Sequence, residues 1–320
     1  MLPPSMPMLP PSMPVLPPSM PMLPQEEIAR AIKNICFDTV EKEMDELICI
    51  GTNAHTKSAR CRVGNNVVDY FTFQQRLETK GKYNINFYEF IDQIDEFREK
   101  KFIQTMLHYY ATVKNKNNTK NKYVVLKEVY NICISAINII RPLVYMDIYT
   151  KYKPASVLDF CAGWGGAAVA CAALNIPKYV GIEINTNLQP PYTKLLSYLK
   201  TKSNSDIQMI FEDALNIDYD ALHYDLVFTS PPYYFIQKYE NNVEYVDKSH
   251  MNEHFYKPIF TKVYNGLQPG GNFIINVCKE VYDAILCPLF GQAHEMYPYK
   301  KSQRQNNYNE IVYVWNKPSN

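Results

Sequence analysis

No C-x-x-C pair occurs among the eight cysteines, Cys36, Cys49, Cys61, Cys133, Cys161, Cys171, Cys278 and Cys287. That argues against zinc ribbons and thioredoxin-type redox motifs, and it suits reduced thiols in an intracellular protein, cytoplasmic or nuclear. No apolar run approaches the ~18 residues of a membrane span, so no membrane partner is expected. Neither sign of charge dominates: 33 basic and 32 acidic residues leave a net charge of +1. A uniformly basic coat is excluded, and any contact with nucleic acid must come from local clusters. H-E-x-x-H is missing too. His250 and His254 are four apart, but Glu253 does not follow the first histidine directly, so a solvated helix face is expected and no metal. What is present is ordinary globular material: 320 residues, 47% hydrophobic and 20% charged, enough for one large domain or two modest ones.

Residues 1–24 stand apart. The heptapeptide MLPPSMP runs from Met1 to Pro7, repeats from Met8 to Pro14, and repeats with one change from Val15 to Pro21. Three prolines per repeat lock φ and remove amide donors, so the period of seven is no coiled coil. A disordered or polyproline-like tail is expected. It lacks the charged start and unbroken apolar centre of a signal peptide.

Residues 25–140 read as a mostly helical N-terminal domain. Ile28, Ile32, Ile35 and Val40 space like one helix face beginning near Gln25, and Phe87–Tyr110 repeats the helical period. The apolar stretch Val124–Ile140 predicts a buried helix. Between Lys100 and Lys127 there are seven lysines and no acid. The centre of this stretch, Lys114–Lys122, is either a solvated loop or a loop that contacts phosphates.

From Ala155 short β-branched runs alternate with helical segments. Ser156–Phe160, Lys178–Ile182, Ile207–Phe211, Leu226–Thr229, Asn272–Val277 and Glu310–Trp315 predict the strands of a mostly parallel α/β sheet. The first strand runs into Asp159-Phe160-Cys161-Ala162-Gly163-Trp164-Gly165-Gly166 and then an alanine-rich helix. This strand, glycine turn and helix let backbone approach a ligand closely. Twenty residues past Gly163, Glu183 ends the next strand, where an acid accepts hydrogen bonds from both hydroxyls of a ribose. Gly163-x-Gly165-x-x-Ala168 also fits a dinucleotide fingerprint, which keeps an NAD oxidoreductase open. Trp164 either shields the ligand or packs on the N-terminal domain.

The fourth strand runs into Ser230-Pro231-Pro232-Tyr233-Tyr234. Two prolines cannot continue a ladder, so they form a rigid turn at the carboxyl end of the strand, where open α/β sheets bind ligands. Ser230 Oγ and the Pro231 carbonyl become fixed acceptors, and Tyr233 a flat platform. The exocyclic amine of a base needs this set: acceptors for its hydrogens and a π-face for its ring.

On these residues the chain from about Arg141 to Lys317 resembles a class I S-adenosylmethionine-dependent amino methyltransferase of the DNA N4-cytosine or N6-adenine type. Ser230-Pro231-Pro232-Tyr233 matches the family's [DNS]-P-P-[YFW] motif. Asp159–Gly165 approximates its D-P-F-x-G-x-G motif, with Phe160 and Cys161 in place of proline and phenylalanine. Arg141-Pro142 resembles the Lys-Pro motif that touches the methionine end of the cofactor, and Asp213 occupies the adenine-contacting acid. Leu267–Gly271 resembles the turn before strand five. The resemblance implies a Rossmann-like sheet with an antiparallel closing strand, S-adenosyl-L-methionine as cofactor, and residues 141–320 as the catalytic domain. It implies Asp159, Cys161, Gly163, Gly165, Glu183, Asp213 and Arg141 at the cofactor, and Ser230, Pro231, Pro232 and Tyr233 at the reacting amine. Serine in that motif is commoner in cytosine enzymes. The implied partner is nucleic acid, DNA ahead of RNA. Alternatives are an RNA base amino methyltransferase, a protein glutamine methylase, and a catalytically silent subunit that binds nucleic acid. Only about 67 residues separate Gly163 from Ser230, and about 86 follow Tyr234. A separate recognition domain does not fit there, so residues 25–140 are expected to help read the target.

Overall fold

The alternation after Ala155 folds as one seven-stranded sheet in the order β3-β2-β1-β4-β5-β7-β6. A computed structural model describes residues 24–235, 241, 243–299 and 310–319. The repeat over residues 1–23 and Tyr239 lie outside the described residues. Strands β1 (Ser156–Asp159), β2 (Lys178–Glu183), β3 (Asp206–Phe211), β4 (Tyr224–Thr229) and β5 (Leu267–Val277) pair in parallel. β7 (Ile311–Asn316) closes the sheet antiparallel to β5, and β6 (Glu295–Pro298) pairs antiparallel to β7. The expected α/β sheet with an antiparallel closing strand is therefore present. β6 was not expected: four residues ending in proline carry too little pattern to stand out.

The sequence places the turn Gln268–Gly271 ahead of β5, whereas the structure holds it inside the strand as an irregularity. Pairing with β4 jumps from Tyr224↔Leu267 to Leu226↔Asn272. Gly270 has φ +77, and a Cβ on Gly271 would come within 2.7 Å of the Asp225 carbonyl.

The N-terminal half is helical: α1 (Gln25–Ile32), α2 (Phe37–Ile50), α3 (Asn65–Glu78), α4 (Phe87–Asp92), α5 (Ile94–Arg98), α6 (Lys101–Tyr109) and α7 (Lys122–Cys133). Two expectations fail here. Ile28 and Val40 do not share one face, because the chain leaves the helix at Lys33 and restarts at Phe37. Ile28 packs with Phe87, Phe90 and Tyr130, whereas Val40 packs with Val67, Tyr145 and Ala167. The helix expected over 124–140 ends at Cys133. Ile134 and Ser135 both donate backward to the Tyr130 carbonyl, and Pro142 favours the extended conformation of Arg141 (φ −72, ψ 143).

Residues 134–141 thus form a non-helical connection to α8 (Pro142–Tyr152), which has proline in its first turn. α8 and α9 (Gly166–Leu174) pack on one face of the sheet, together with α10 (Gln189–Leu199). The same apolar cluster includes Val40, Met44, Leu47 and Val67, so the first long helices share a core with the sheet. α11 (Lys248–Met251) and α12 (Lys257–Gly266) serve the other face, where Ile259, Phe260 and Val263 pack on Val227 and Phe273. No helix among the described residues is long and apolar enough to cross a membrane.

Candidate active site

The glycine turn is held from four directions. β1 ends in Asp159, fully buried, whose Oδ1 accepts from the Cys161 amide at 3.2 Å and from Thr229 Oγ1 at 2.7 Å. That pair ties the ends of β1 and β4 together. Gly163 has φ +57, and a Cβ there would meet nothing nearer than the Cys161 carbonyl at 3.8 Å. Its amide donates to Glu183 Oε2 at 2.8 Å, while the Asn185 amide donates to Glu183 Oε1 at 2.9 Å. The Tyr192 hydroxyl shares its proton between the carbonyls of Gly163 (3.0 Å) and Ala162 (3.3 Å). From α3, Thr72 Oγ1 lies 3.1 Å from the Trp164 carbonyl.

Close packing explains the next two glycines. Gly165 has φ +96 and would drive a Cβ to 2.7 Å from Leu195. A Cβ on Gly166 would come to 2.4 Å from the Ile140 carbonyl, so the connection 134–141 runs against the start of α9. Trp164 belongs to the core shared with α2 and also lines the cleft.

Burial sets the protonation of this turn. Desolvation pushes the Asp159 carboxyl up to about 7, against the bonds from Thr229 and Cys161. It pushes Glu183 up to about 7 as well, against the two backbone amides. The Cys161 thiol is raised well above its usual value by burial, with Asp159 and Glu183 adding to the effect. A thiol held protonated is no nucleophile. Asp213 caps a single turn by accepting from the Leu215 amide at 2.9 Å. Arg141 donates from Nη1 to the carbonyls of Ala59 (2.5 Å) and Cys61 (2.9 Å), clamping that segment beside the turn.

The second motif leaves the carboxyl end of β4 next to β1. Ser230 Oγ lies 3.1 Å from the Tyr233 hydroxyl, which donates to the Asn276 carbonyl at 3.3 Å. With the Tyr233 proton on Asn276, the Ser230 proton points to Tyr233 and the free lone pairs of Ser230 remain as acceptors. Prolines alone do not hold this turn. The Tyr256 hydroxyl donates to the Pro232 carbonyl and accepts from the Tyr234 amide at 3.2 Å. Tyr234, with φ +46, donates through its hydroxyl to Asn252 Oδ1 at 3.0 Å.

One cleft of about 2480 Å³ joins the two motifs. Cys161, Gly163, Glu183, Asp213 and Arg141 line it, as do Ser230, Pro231, Pro232 and Tyr233. Asp159 and Gly165 stand behind its wall. Four residues had no place in the sequence reading. Thr229 and Asn276 are polar residues ending apolar strands, a signal present in the sequence. Asn276 is 1% exposed, lines the cleft, and has a buried Oδ1 with no hydrogen-bond partner among the described residues. Thr72 and Tyr256 reach the site only through tertiary packing.

The basic stretch lies outside the cleft lining. Lys114, Lys116 and Lys122 are exposed, whereas Lys120 pairs with Glu128 at 2.7 Å. His250 and His254 stack at 4.1 Å. Among the described residues no group of three His, Cys, Asp or Glu gathers as metal ligands.

No family model matches the chain, and no curated protein matches it. Among solved structures it is similar to TrmN from Thermus thermophilus at 16% identity and TM-score 0.39, over 55% of this chain and 48% of that one. The chain thus spans about half the length of that neighbour. It is similar to an rRNA methylase from Streptococcus thermophilus, at 16% identity and TM-score 0.37, over 57% of this chain and 100% of that one. An RNA methyltransferase from Salinibacter ruber, solved with S-adenosyl-L-homocysteine, gives 13% identity and TM-score 0.37, over 57% and 95%. Likenesses this distant transfer no residue, ligand or substrate. The sheet's own order and directions define the class, a Rossmann-like α/β sheet with an antiparallel closing strand.

Proposed function

We propose that the chain transfers a methyl group from S-adenosyl-L-methionine to the exocyclic amine of a base, cytosine N4 or adenine N6, in nucleic acid, with DNA ahead of RNA. The observation that carries the reading is the pairing of two motifs on one cleft. The glycine turn with Glu183 and the Ser230–Tyr233 turn line the same space at the carboxyl ends of adjacent strands.

The residues of the turn fit the cofactor. Gly163 leaves open room where a side chain would stand. Each Glu183 oxygen accepts one amide and keeps a lone pair for a ribose hydroxyl. Asp213 lines the cleft for the adenine. When bound, the cofactor supplies a methyl group already activated on a sulfonium.

Everything else falls to the chain. Ser230 Oγ and the Pro231 carbonyl accept the two amine hydrogens and hold the nitrogen lone pair toward the cofactor side. Tyr233 offers its ring to the base while its hydroxyl fixes Ser230. Fixed dipoles and positioning supply the acceleration; the proton that the methylated nitrogen sheds passes to solvent water, so no general base of special pKa is required. A base in a duplex must leave the stack to arrive here.

Tritium transfer from labelled cofactor into separate DNA, RNA and protein pools tests the proposal. Methylated cytosine or adenine from DNA is expected on nucleoside analysis. Label in RNA alone selects the RNA alternative, label in glutamine selects protein, and label in none of the pools contradicts methyl transfer.

A further inference from the structure

β5 ends in Phe273-Ile274-Ile275-Asn276-Val277. The four apolar residues are fully buried, and Asn276 is nearly so. Alternation along the strand gives its side chain a direction. Phe273, Ile275 and Val277 belong to the core that α12 covers, whereas Ile274 belongs to the core shared with α8. Asn276 therefore turns to the α8 side. Its register partner on β7 is Val312, whose side chain offers no hydrogen bond. Asn276 Oδ1 is buried without a partner among the described residues, and both Asn276 and Val312 line the cleft. An amide left unpaired in such a place costs free energy that valine or leucine would not. A ligand that bonds to it offsets that cost.

The neighbours of Asn276 indicate which ligand group. Its main-chain carbonyl accepts from the Tyr233 hydroxyl at 3.3 Å, and that hydroxyl lies 3.1 Å from Ser230 Oγ. Asn276 thus stands at the hydroxyl end of the ring that the proposed function gives to the base, next to the group it gives to the amine. A base lying on that ring meets Asn276 with an edge. A side-chain amide carries an acceptor and a donor side by side. It matches an edge on which an amine hydrogen adjoins the lone pair of a ring nitrogen, as asparagine does with adenine. Cytosine N4 with N3, and adenine N6 with N1, present that pair on the Watson–Crick edge of an extruded base. Guanine and uracil carry a carbonyl where the amine would be.

We propose that Asn276 is a specificity-determining residue for the base. Oδ1 accepts the amine hydrogen on the ring-nitrogen side, shared with Ser230, and Nδ2 donates to the ring nitrogen. This role rests on the proposed methyl transfer to a base. It adds a contact that Ser230 and Pro231 do not make. Acceptors alone bind any amine, whereas a donor beside them recognises the adjoining nitrogen.

Single-stranded oligonucleotides of DNA and of RNA with randomised flanks test this with labelled cofactor, since they require no extrusion. One pair carries cytosine or 3-deazacytosine, the other adenine or 1-deazaadenine. Each deaza base keeps the amine and has CH in place of the ring nitrogen. On the base that the wild type methylates, the deaza replacement should lower kcat/KM by about tenfold or more. Asn276→Leu removes both polar atoms at similar size, and Asn276→Ala does so with less bulk. Both variants should be slow on the natural base and should treat natural and deaza bases alike within about twofold.

A role in packing alone would slow both substrates equally and keep the wild-type ratio. That result overturns the proposal, as does a wild type indifferent to the deaza replacement. Cofactor affinity should not change; a parallel loss would place Asn276 at the cofactor and overturn the base contact. Label from the wild type in neither pair withdraws the amine reading and this role with it. A wild type that methylates, with its ratio unchanged in the variants, withdraws this role alone.

Discussion

The amide of Gly163 donates to Glu183 Oε2 at 2.8 Å. The glycine that opens the cleft and the acid assigned to the ribose are therefore one unit, and the acid's ionisation is felt in the turn. Glu183 sits at about 7 through desolvation. A carboxyl raised above its unfolded value is protonated in the fold while ionised in the open chain. Its stabilising effect is present at low pH and is lost as pH rises from about 4.5 to 7. Ribose hydroxyls donate to the ionised form, so cofactor binding should release a proton. Affinity by calorimetry should weaken by up to roughly tenfold per pH unit below about 7. Glu183→Gln should flatten that dependence and lose about 1.5–3 kcal/mol for a charged acceptor. Affinity within threefold of wild type would remove Glu183 from the ribose site.

Thr72 places the N-terminal helices in contact with the glycine turn. Thr72→Val keeps the shape and loses the proton that Thr72 Oγ1 shares between the carbonyls of Val68 (2.9 Å) and Trp164 (3.1 Å). A stability loss of about 1 kcal/mol is expected, with weaker cofactor binding beside it. An unchanged cofactor Kd would make the contact purely structural.

Tyr256 braces the proline turn through Pro232 and Tyr234. Tyr256→Phe leaves two backbone groups without that partner and should cost about 1–2 kcal/mol. Turnover should fall further than cofactor affinity, because the loosened element carries Ser230. Equal losses in kcat and cofactor binding would contradict that separation.

The lysine stretch gives a narrower prediction than its sequence invites. Lys120 is already paired with Glu128, so Lys114, Lys116 and Lys122 are the contributors left to test. Replacing these three should flatten the salt dependence of nucleic-acid binding by about 0.9 per lost phosphate contact on duplex DNA. An unchanged slope assigns the stretch to solvent.

What was legible in the sequence is what is local. Asp159 to Gly166 spells its own strand, turn and helix, and Glu183 follows one strand later. Ser230–Tyr233 announces a rigid turn wherever it stands. β6 was missed because Glu295–Pro298 is short and, among the described residues, pairs only with β7. The end of α7 at Cys133 was missed because Ile137, Ile139 and Ile140 continue an apolar run that packs as extended chain. Ile137 buries in the core shared with α8, and the Ile140 carbonyl abuts Gly166. Thr72 and Tyr256 act at distances of 92 and 24 residues along the chain, which no local pattern encodes.

The central claim is that Ser230 and Tyr233 receive the amine, and single-turnover methyl transfer with cofactor affinity measured in parallel tests it most directly. Three variants divide the roles. Ser230→Ala removes one acceptor and should lower kcat and kcat/KM together. Tyr233→Ala removes the ring and should also weaken capture of the base, by roughly 1–3 kcal/mol. Tyr233→Phe keeps the ring but frees Ser230 from its hydroxyl partner at 3.1 Å, so it should resemble Ser230→Ala in milder form. All three should bind the cofactor as wild type does. Wild-type methylation of both DNA and RNA by Ser230→Ala and Tyr233→Ala, with cofactor binding intact, would contradict the account.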